Sequence, residues 1–220
     1  MWDWNYAIDI LPDLLVALKM TVVATFWGFL VALVGGLLLA MAMRSKHKWL
    51  QLLFKGCNGF IRNTPLLVQV FFLYYSLPMV AGISLPAFYA GILGLGLHYS
   101  TYLSEVYRSG IEAVPKGQWE AALALNYSKA DMWRSVILPQ AVPPIIPVLG
   151  NYLIVMFKET PILSAITLVE LLLTAKNIVS ESFRVFEPYT LVGLLFLAVS
   201  YPSSLIIRRL EIRMNLLRGK

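Results

Sequence analysis

The sequence predicts an all-α fold: a polytopic helical membrane protein with about five transmembrane helices and one sizeable cytoplasmic loop. Three observations predict it. Hydrophobic residues make up 59% of the 220 residues and charged ones only 14%, with a mean hydropathy of +0.71, whereas soluble domains carry about 25% charged residues. Long runs contain no charge at all, Met20 to Met43 being the clearest. The cations gather between such runs instead of along one face.

The elements follow in order. Met1-Trp2-Asp3-Trp4 is acidic and aromatic, so no removable signal peptide is expected, and the first span is expected to target the chain. A spanning helix needs about 20 apolar residues, and the first such run is Met20 to Met43. It carries Gly28, Ala32, Gly36 and Ala40 at a spacing of four, a stripe that admits a close neighbouring helix; packing within the chain is expected over a dimer face. The second span is read at about Leu52 to Pro78, with Lys55 and Arg62 near its start and its most apolar part after Pro65. The third runs from Pro86 to Ser104. The fourth follows Pro139 and reaches Phe157, where Lys158 and Glu159 interrupt it before Ile162 to Thr174 resumes; the fifth is Tyr189 to Ile207.

Charge orients these spans. Arg44, Lys46, Lys48, Lys55 and Arg62 follow the first span; Arg108, Lys116, Lys129 and Arg134 follow the third; Arg208, Arg209, Arg213, Arg218 and Lys220 form the tail. Five, four and five make fourteen of the 18 Lys and Arg residues, all on one side if there are five spans. The positive-inside rule makes that side the cytoplasm, with the N-terminus outside and the C-terminus inside.

Between the third and fourth spans lies the only long hydrophilic interval, about Glu105 to Ser135. Pro115 and Gly117 signal a turn, Glu120-Ala121-Ala122 opens a helix-forming stretch, and a second short helix is expected from Ala130 to Val136, started near Ser128 or Asp131 and ended by Pro139.

Several chemistries are disfavoured. One cysteine, Cys57, allows no internal disulfide, and His47 and His98 have no ligand-spaced partners, so no metal is expected. The formal charge of +6 sits beside the spans, which argues for membrane topology and against nucleic acid. No glycine-rich loop with a Lys-Ser/Thr pair is present to cradle phosphates, so the chain is not expected to hydrolyse ATP itself. No low-complexity stretch or internal repeat is evident.

Glu120-Ala121-Ala122, Asn126 and Val136-Ile137-Leu138-Pro139 at their spacing resemble the EAA loop of the permease subunits of bacterial ABC importers. Arg62-Asn63-Thr64-Pro65-Leu66-Leu67-Val68-Gln69, Tyr102-Leu103-Ser104-Glu105-Val106-Tyr107-Arg108, Lys116-Gly117-Gln118-Trp119 and Lys158-Glu159-Thr160-Pro161 are similar to the polar amino acid uptake branch. That family usually has Gly where Asn126 stands, often Ile where Val136 stands, and that branch more often Ser where Pro161 stands. Asn adopts the left-handed backbone more readily than most residues.

The resemblance implies one transmembrane domain over 1–220, with the loop at about 105–138. It implies that Glu120, Ala121, Ala122 and Asn126 couple to a separate ABC ATPase, which uses the ATP, and that this chain binds no cofactor. The implied partners are ATPase subunits, a second permease chain (the same or a sister), an external solute-binding protein and membrane lipid, in the bacterial inner membrane. The implied cargo is a polar amino acid or similar small zwitterion, a compatible solute such as ectoine included.

Ionisable groups inside spans are costly and face the protein interior or water. Lys158, Glu159, Thr160 and Glu170 therefore either line the translocation path or hold a broken helix as an internal ion pair, with Pro161 favouring the break. Asn63 and Thr64 either join that path or mark the end of a helix. An ion-gradient-driven secondary transporter is the competing reading, though such transporters often show an internal repeat; a membrane enzyme lacks a convergent catalytic set here.

Overall fold

The computed structural model describes residues 2–218. Helix α1 runs from Trp4 to Met43, 40 residues and about 60 Å at 1.5 Å per residue. It therefore starts well before the expected Met20. Asp3 caps it, its carboxylate accepting from the Asn5 and Tyr6 amides at 3.1 and 3.3 Å. Charged Asp9, Asp13 and Lys19 stay exposed, while Ile10, Leu14 and Ala17 pack against Leu171, Ala175 and Val192. Those partners lie far along the chain, so local hydropathy does not reveal this extension.

The expected second span is broken. Helix α2 (Lys48–Arg62) and α3 (Leu66–Phe71) are followed by a π-helical turn at Phe72–Ser76 and α4 (Leu77–Ala81), and the axis bends by 103° between Arg62 and Leu66. Pro65 disfavours helix at Thr64 and supplies no N–H. The freed carbonyls find local donors: Asn63 Nδ2 donates to Gly59 O at 2.7 Å and Thr64 Oγ1 to Phe60 O at 3.1 Å.

Helix α5 (Ala87–Glu112) continues eight residues past the expected end at Ser104, so the hydrophilic interval opens with two more turns of this helix. The α1 stripe packs on it. A Cβ on Gly36 would lie 2.8 Å from Leu103 Cβ and 3.0 Å from the Ser100 carbonyl, so only glycine fits, and the stripe serves contact within the chain.

After a short turn come α6 (Lys116–Ala124), the single turn α7 (Lys129–Asp131), a π-helical stretch Met132–Ile137 and α8 (Leu138–Glu159). Ser128 caps this run, accepting from the Asp131 amide at 3.2 Å. Pro139 does not end the helix as expected; it sits in the first turn of α8, where the π-helical stretch has already shifted the hydrogen-bond ladder. Past Glu159 the chain tightens into a 3-10 helix, Thr160–Ile166, as Pro161 led one to expect, and then forms α9 (Leu171–Ser182) and α10 (Phe186–Arg218). The core between α1, α5 and α8 centres on Leu95, Leu103, Met156, Leu163 and Ile166.

Trp4–Met43, Lys129–Ile166 and Phe186–Met214 are long and apolar enough to cross a membrane, and the bent pair Lys48–Arg62 plus Leu66–Ala81 raises this to four. The expected count of five is not reached on that measure. At 26 residues α5 is long enough, about 39 Å, but it buries His98, Ser100, Thr101 and Ser104 against its neighbours, which lowers its hydropathy.

Candidate functional site

The first candidate surface is α6. Its inner side packs on the start of α8: Val114, Ala122, Met132, Ile137 and Ala141 form a cluster, sealed by an edge-on contact of Trp119 and Trp133 at 5.4 Å. Glu120 and Ala121 are exposed, but Ala122 is only 2% exposed and points inward. The helix ends in a Schellman arrangement: the Tyr127 amide donates to Ala122 O and the Asn126 amide to Leu123 O, both at 3.0 Å. That geometry needs a left-handed residue, and Asn126 has φ 59°. The tolerance expected of Asn there is met. Beside it, Leu123 and Leu125 are 63% and 72% exposed, an apolar tip that the sequence reading missed. Two bulky aliphatic residues within a polar loop were the available signal.

The second candidate lies at mid-height of α5. Tyr99, the thirteenth of its 26 residues, donates its hydroxyl to Glu159 Oε2 at 2.6 Å. Tyr152 of α8 and Tyr102 surround that pair, with ring centroids 5.8 to 6.0 Å apart. The Arg62 guanidinium lies over the Tyr102 ring at 5.1 Å. His98 Nδ1 is 3.2 Å from Gln69 Oε1; an amide oxygen only accepts, so Nδ1 carries the proton. The Gln69 amide in turn donates to Ile61 O at 2.6 Å and Thr64 Oγ1 at 2.7 Å, which ties the cluster to the α2–α3 break. Among the described residues Tyr99 is the hydrogen-bond partner of Glu159, so one carboxylate oxygen remains available.

The candidates drawn from sequence fare differently. Glu159 lies within this cluster, and neighbouring Lys158 is exposed on the outer side of α8. Among the described residues the ion pairs are Arg108–Glu105, Arg108–Glu112 and Arg184–Asp3, so no internal pair joins Lys158, Glu159 and Glu170. Thr160 is buried and donates to Phe157 O at 2.7 Å. Glu170 is fully buried and caps α9, accepting from the Leu172 and Leu173 amides at 2.9 and 2.8 Å. Asn63 and Thr64 cap α2. These four side chains hold breaks in the backbone. Tyr99, Tyr152 and His98 were missed as site residues; a run of polar side chains from His98 to Ser104 inside an apolar segment was the signal for His98 and Tyr99, and Tyr152 had none of that kind.

A family model described as binding-protein-dependent transport system inner membrane component matches residues 32–216. The protein named "Probable amino-acid ABC transporter permease protein y4tG" of Sinorhizobium fredii is 44% identical over 218 residues, covering 97% of this chain and 94% of that protein. Among solved structures, an amino acid ABC transporter crystallised with histidines superimposes with a TM-score of 0.90 at 36% identity, over 97% of this chain and 99% of the other. The MetNI methionine ABC transporter, in an inward-facing conformation, has a TM-score of 0.64 over 95% of this chain and 99% of the other. At 18% identity it speaks to the fold alone.

Proposed function

Because this chain belongs to the family of binding-protein-dependent transport system inner membrane components, we propose that it is the membrane-spanning permease subunit of an ATP-driven importer of polar amino acids or similar small zwitterions. Its amino-acid ABC permease relative at 44% identity and the amino acid ABC transporter structure at TM-score 0.90 support the reading. ATP hydrolysis belongs to separate ATPase subunits in this reading. A second permease chain, an external solute-binding protein and membrane lipid complete the assembly. The clustering of cations after the first and third spans and in the tail favours an outer N-terminus and an inner C-terminus.

The observation that carries the cargo class is the Glu159 carboxylate beside the midpoint of α5, held by Tyr99 with one oxygen free. A free carboxylate suits the α-ammonium group of such a cargo. In this reading α6 is the coupling element: Glu120, Ala121 and the exposed Leu123–Asn126 end meet the ATPase, while Ala122 fastens α6 to α8. Closure of the ATPases then moves α8, and with it Glu159.

The test is uptake. The chain is purified with ATPases encoded in its genome, reconstituted with a solute-binding protein, and offered a panel of labelled polar amino acids and ectoine. Accumulation that requires ATP and survives ionophores is expected. Accumulation driven by an ion gradient without ATP would overturn the proposal in favour of a secondary transporter.

A further inference from the structure

Helix α2 has two unlike faces. At 100° per residue, Gln51, Lys55, Asn58 and Arg62 fall on one arc, and Trp49, Leu52, Leu53 and Phe60 on the opposite one. The apolar arc is open: Trp49, Leu52 and Phe60 are 68%, 74% and 73% exposed. Along α5, Gly94 lies against Val70 of α3 and Ser104 bonds to Asn58 of α2. With a 103° bend between them, α3 runs along α5 and α2 lies across it. An amphipathic helix with Trp, Phe and Leu on one face and cations on the other has the form of a segment lying in the headgroup layer.

The polar arc of α2 looks into a cavity of about 830 Å³, closed by the end of α1 and the C-terminal turns of α5. Its charges are unevenly partnered. Arg108 is held by Glu105 at 2.6 Å and Glu112 at 2.8 Å. Arg44, Lys55 and Arg62 also line the cavity, and among the described residues none has a carboxylate within ion-pair distance. Asn58 lends a neutral amide donor, its own oxygen accepting the Ser104 hydroxyl at 3.4 Å. The lining carries four cations against two carboxylates, and of the cations only Arg62, over Tyr102, also reaches the tyrosine cluster of the transport reading.

We propose that this cavity binds the phosphate of an anionic phospholipid of the phosphatidylglycerol or cardiolipin class. Uncompensated cations between membrane helices are what such headgroups recognise. The open Trp49–Leu52–Phe60 face sets α2 in the headgroup layer, which brings the cavity on its other face level with lipid phosphates. The lipid would then hold α2, and through the Asn63–Pro65 break the Gln69–His98 end of the tyrosine cluster, against the bundle.

Native mass spectrometry of the purified full chain in a neutral detergent tests this, with dioleoylphosphatidylglycerol, dioleoylphosphatidylcholine and inorganic phosphate as separate titrants. Retention of phosphatidylglycerol alone is expected. The double variant Arg44→Gln/Lys55→Gln should weaken it on the order of 25-fold, at about fivefold per cation near the headgroups. Lys116→Gln/Lys129→Gln, which removes two cations from α6 and α7, should leave it unchanged. Arg44→Lys/Lys55→Arg, which keeps both charges, should retain the lipid and shows that the loss is not misfolding. Undiminished retention by the Gln pair would overturn the proposal, and so would equal retention of phosphatidylcholine. Displacement of the lipid by inorganic phosphate would make this a soluble-anion site instead. Loss of amino acid uptake in the Gln pair with lipid retention intact would make the cavity part of the transport path. Lipid retention is read without ATPase or cargo, so its outcome is separate from that of the uptake test.

Discussion

Tyr99 on α5 and Glu159 at the end of α8 stand 60 residues apart in sequence and meet through a 2.6 Å hydrogen bond midway along α5. A carboxylate there is stabilised by the phenol donor, and a short O–H···O⁻ contact is among the stronger hydrogen bonds a side chain makes. The pair gives the first prediction. Glu159→Gln keeps the shape and removes the charge, so amino acid uptake should fall about 10- to 100-fold, matching the loss of a charge-assisted contact of about 1.5–3 kcal/mol. Tyr99→Phe leaves the carboxylate and should cost roughly fivefold, for a hydrogen bond of about 1 kcal/mol. Uptake by proteoliposomes decides it. Full activity in Glu159→Gln would remove this carboxylate from the cargo path.

Ala121 and Ala122 are neighbours on α6 that face opposite ways, the first exposed and the second 2% exposed. Ala121→Arg should leave the melting temperature unchanged, since surface substitutions stay within about 0.5 kcal/mol, yet weaken copurification of the ATPase. Ala122→Arg places an unpaired charge in the Trp119–Trp133 cluster and should destabilise the chain by about 3 kcal/mol or more. Parallel melting curves and pull-downs separate the two effects. Loss of the ATPase only when the chain itself melts early would deny α6 a coupling role.

At Asn126 the backbone itself is the test. With φ at 59° and both Schellman bonds formed, Asn126→Gly should change stability by less than about 0.5 kcal/mol. Asn126→Val should cost about 1–2 kcal/mol, because a β-branched residue resists the left-handed region. The loss should appear as weaker ATPase capture before global unfolding, since this turn sets the exposed end of α6. Equal behaviour of the Gly and Val variants would show that the turn does not set that end.

What the chain discloses from its residues alone depends on how local the physics is. The change of helix at Pro161, the Ser128 cap and the left-handed Asn126 are legible because proline, hydroxyl and amide chemistry act within a few residues, although α8 runs on through Lys158 and Glu159, where an interruption was expected. The Tyr99–Glu159 pair is not, because nothing near Tyr99 in sequence announces α8. Helix α2 reads as part of a span because Leu52, Leu53 and Phe54 raise the local hydropathy; the 103° turn at Pro65 makes it a crossing helix instead. The same limit hides residues 4–19 of α1, whose packing partners begin at Leu171. Glu170 illustrates the converse. A carboxylate in an apolar stretch suggests a transport role, yet both its oxygens are occupied by the first amides of α9.

The far end of the bundle from α6 has a pH response of its own. Arg184 donates to Asp3 Oδ2 at 2.8 Å and lies over the Tyr6 ring at 4.5 Å, while the Asp3 amide donates to Glu187 at 3.0 Å. The Arg184 hydrogen bond, then the Tyr6 amide, hold the Asp3 carboxyl below its ordinary range, against a smaller opposing effect of desolvation. A group whose folded pKa is depressed adds stability that is present above its unfolded value, about 3.9, and is lost as pH falls through the lower folded value. The clasp between the N-terminus of α1 and the start of α10 should therefore be intact at neutral pH and loosen only below about pH 4. Asp3→Asn still caps α1 but cannot form the ion pair. Its melting temperature should lie slightly below wild type at neutral pH, and the gap should close as the buffer is acidified, because the wild-type carboxyl is then protonated too. Intrinsic fluorescence during melting reads this end once Trp27, Trp49, Trp119 and Trp133 are replaced by Phe, which leaves Trp2 and Trp4 as the emitters. A gap that stays constant down to about pH 3, well below the unfolded value, would show that charge pairing at Asp3 contributes nothing and that its role is the helix cap alone.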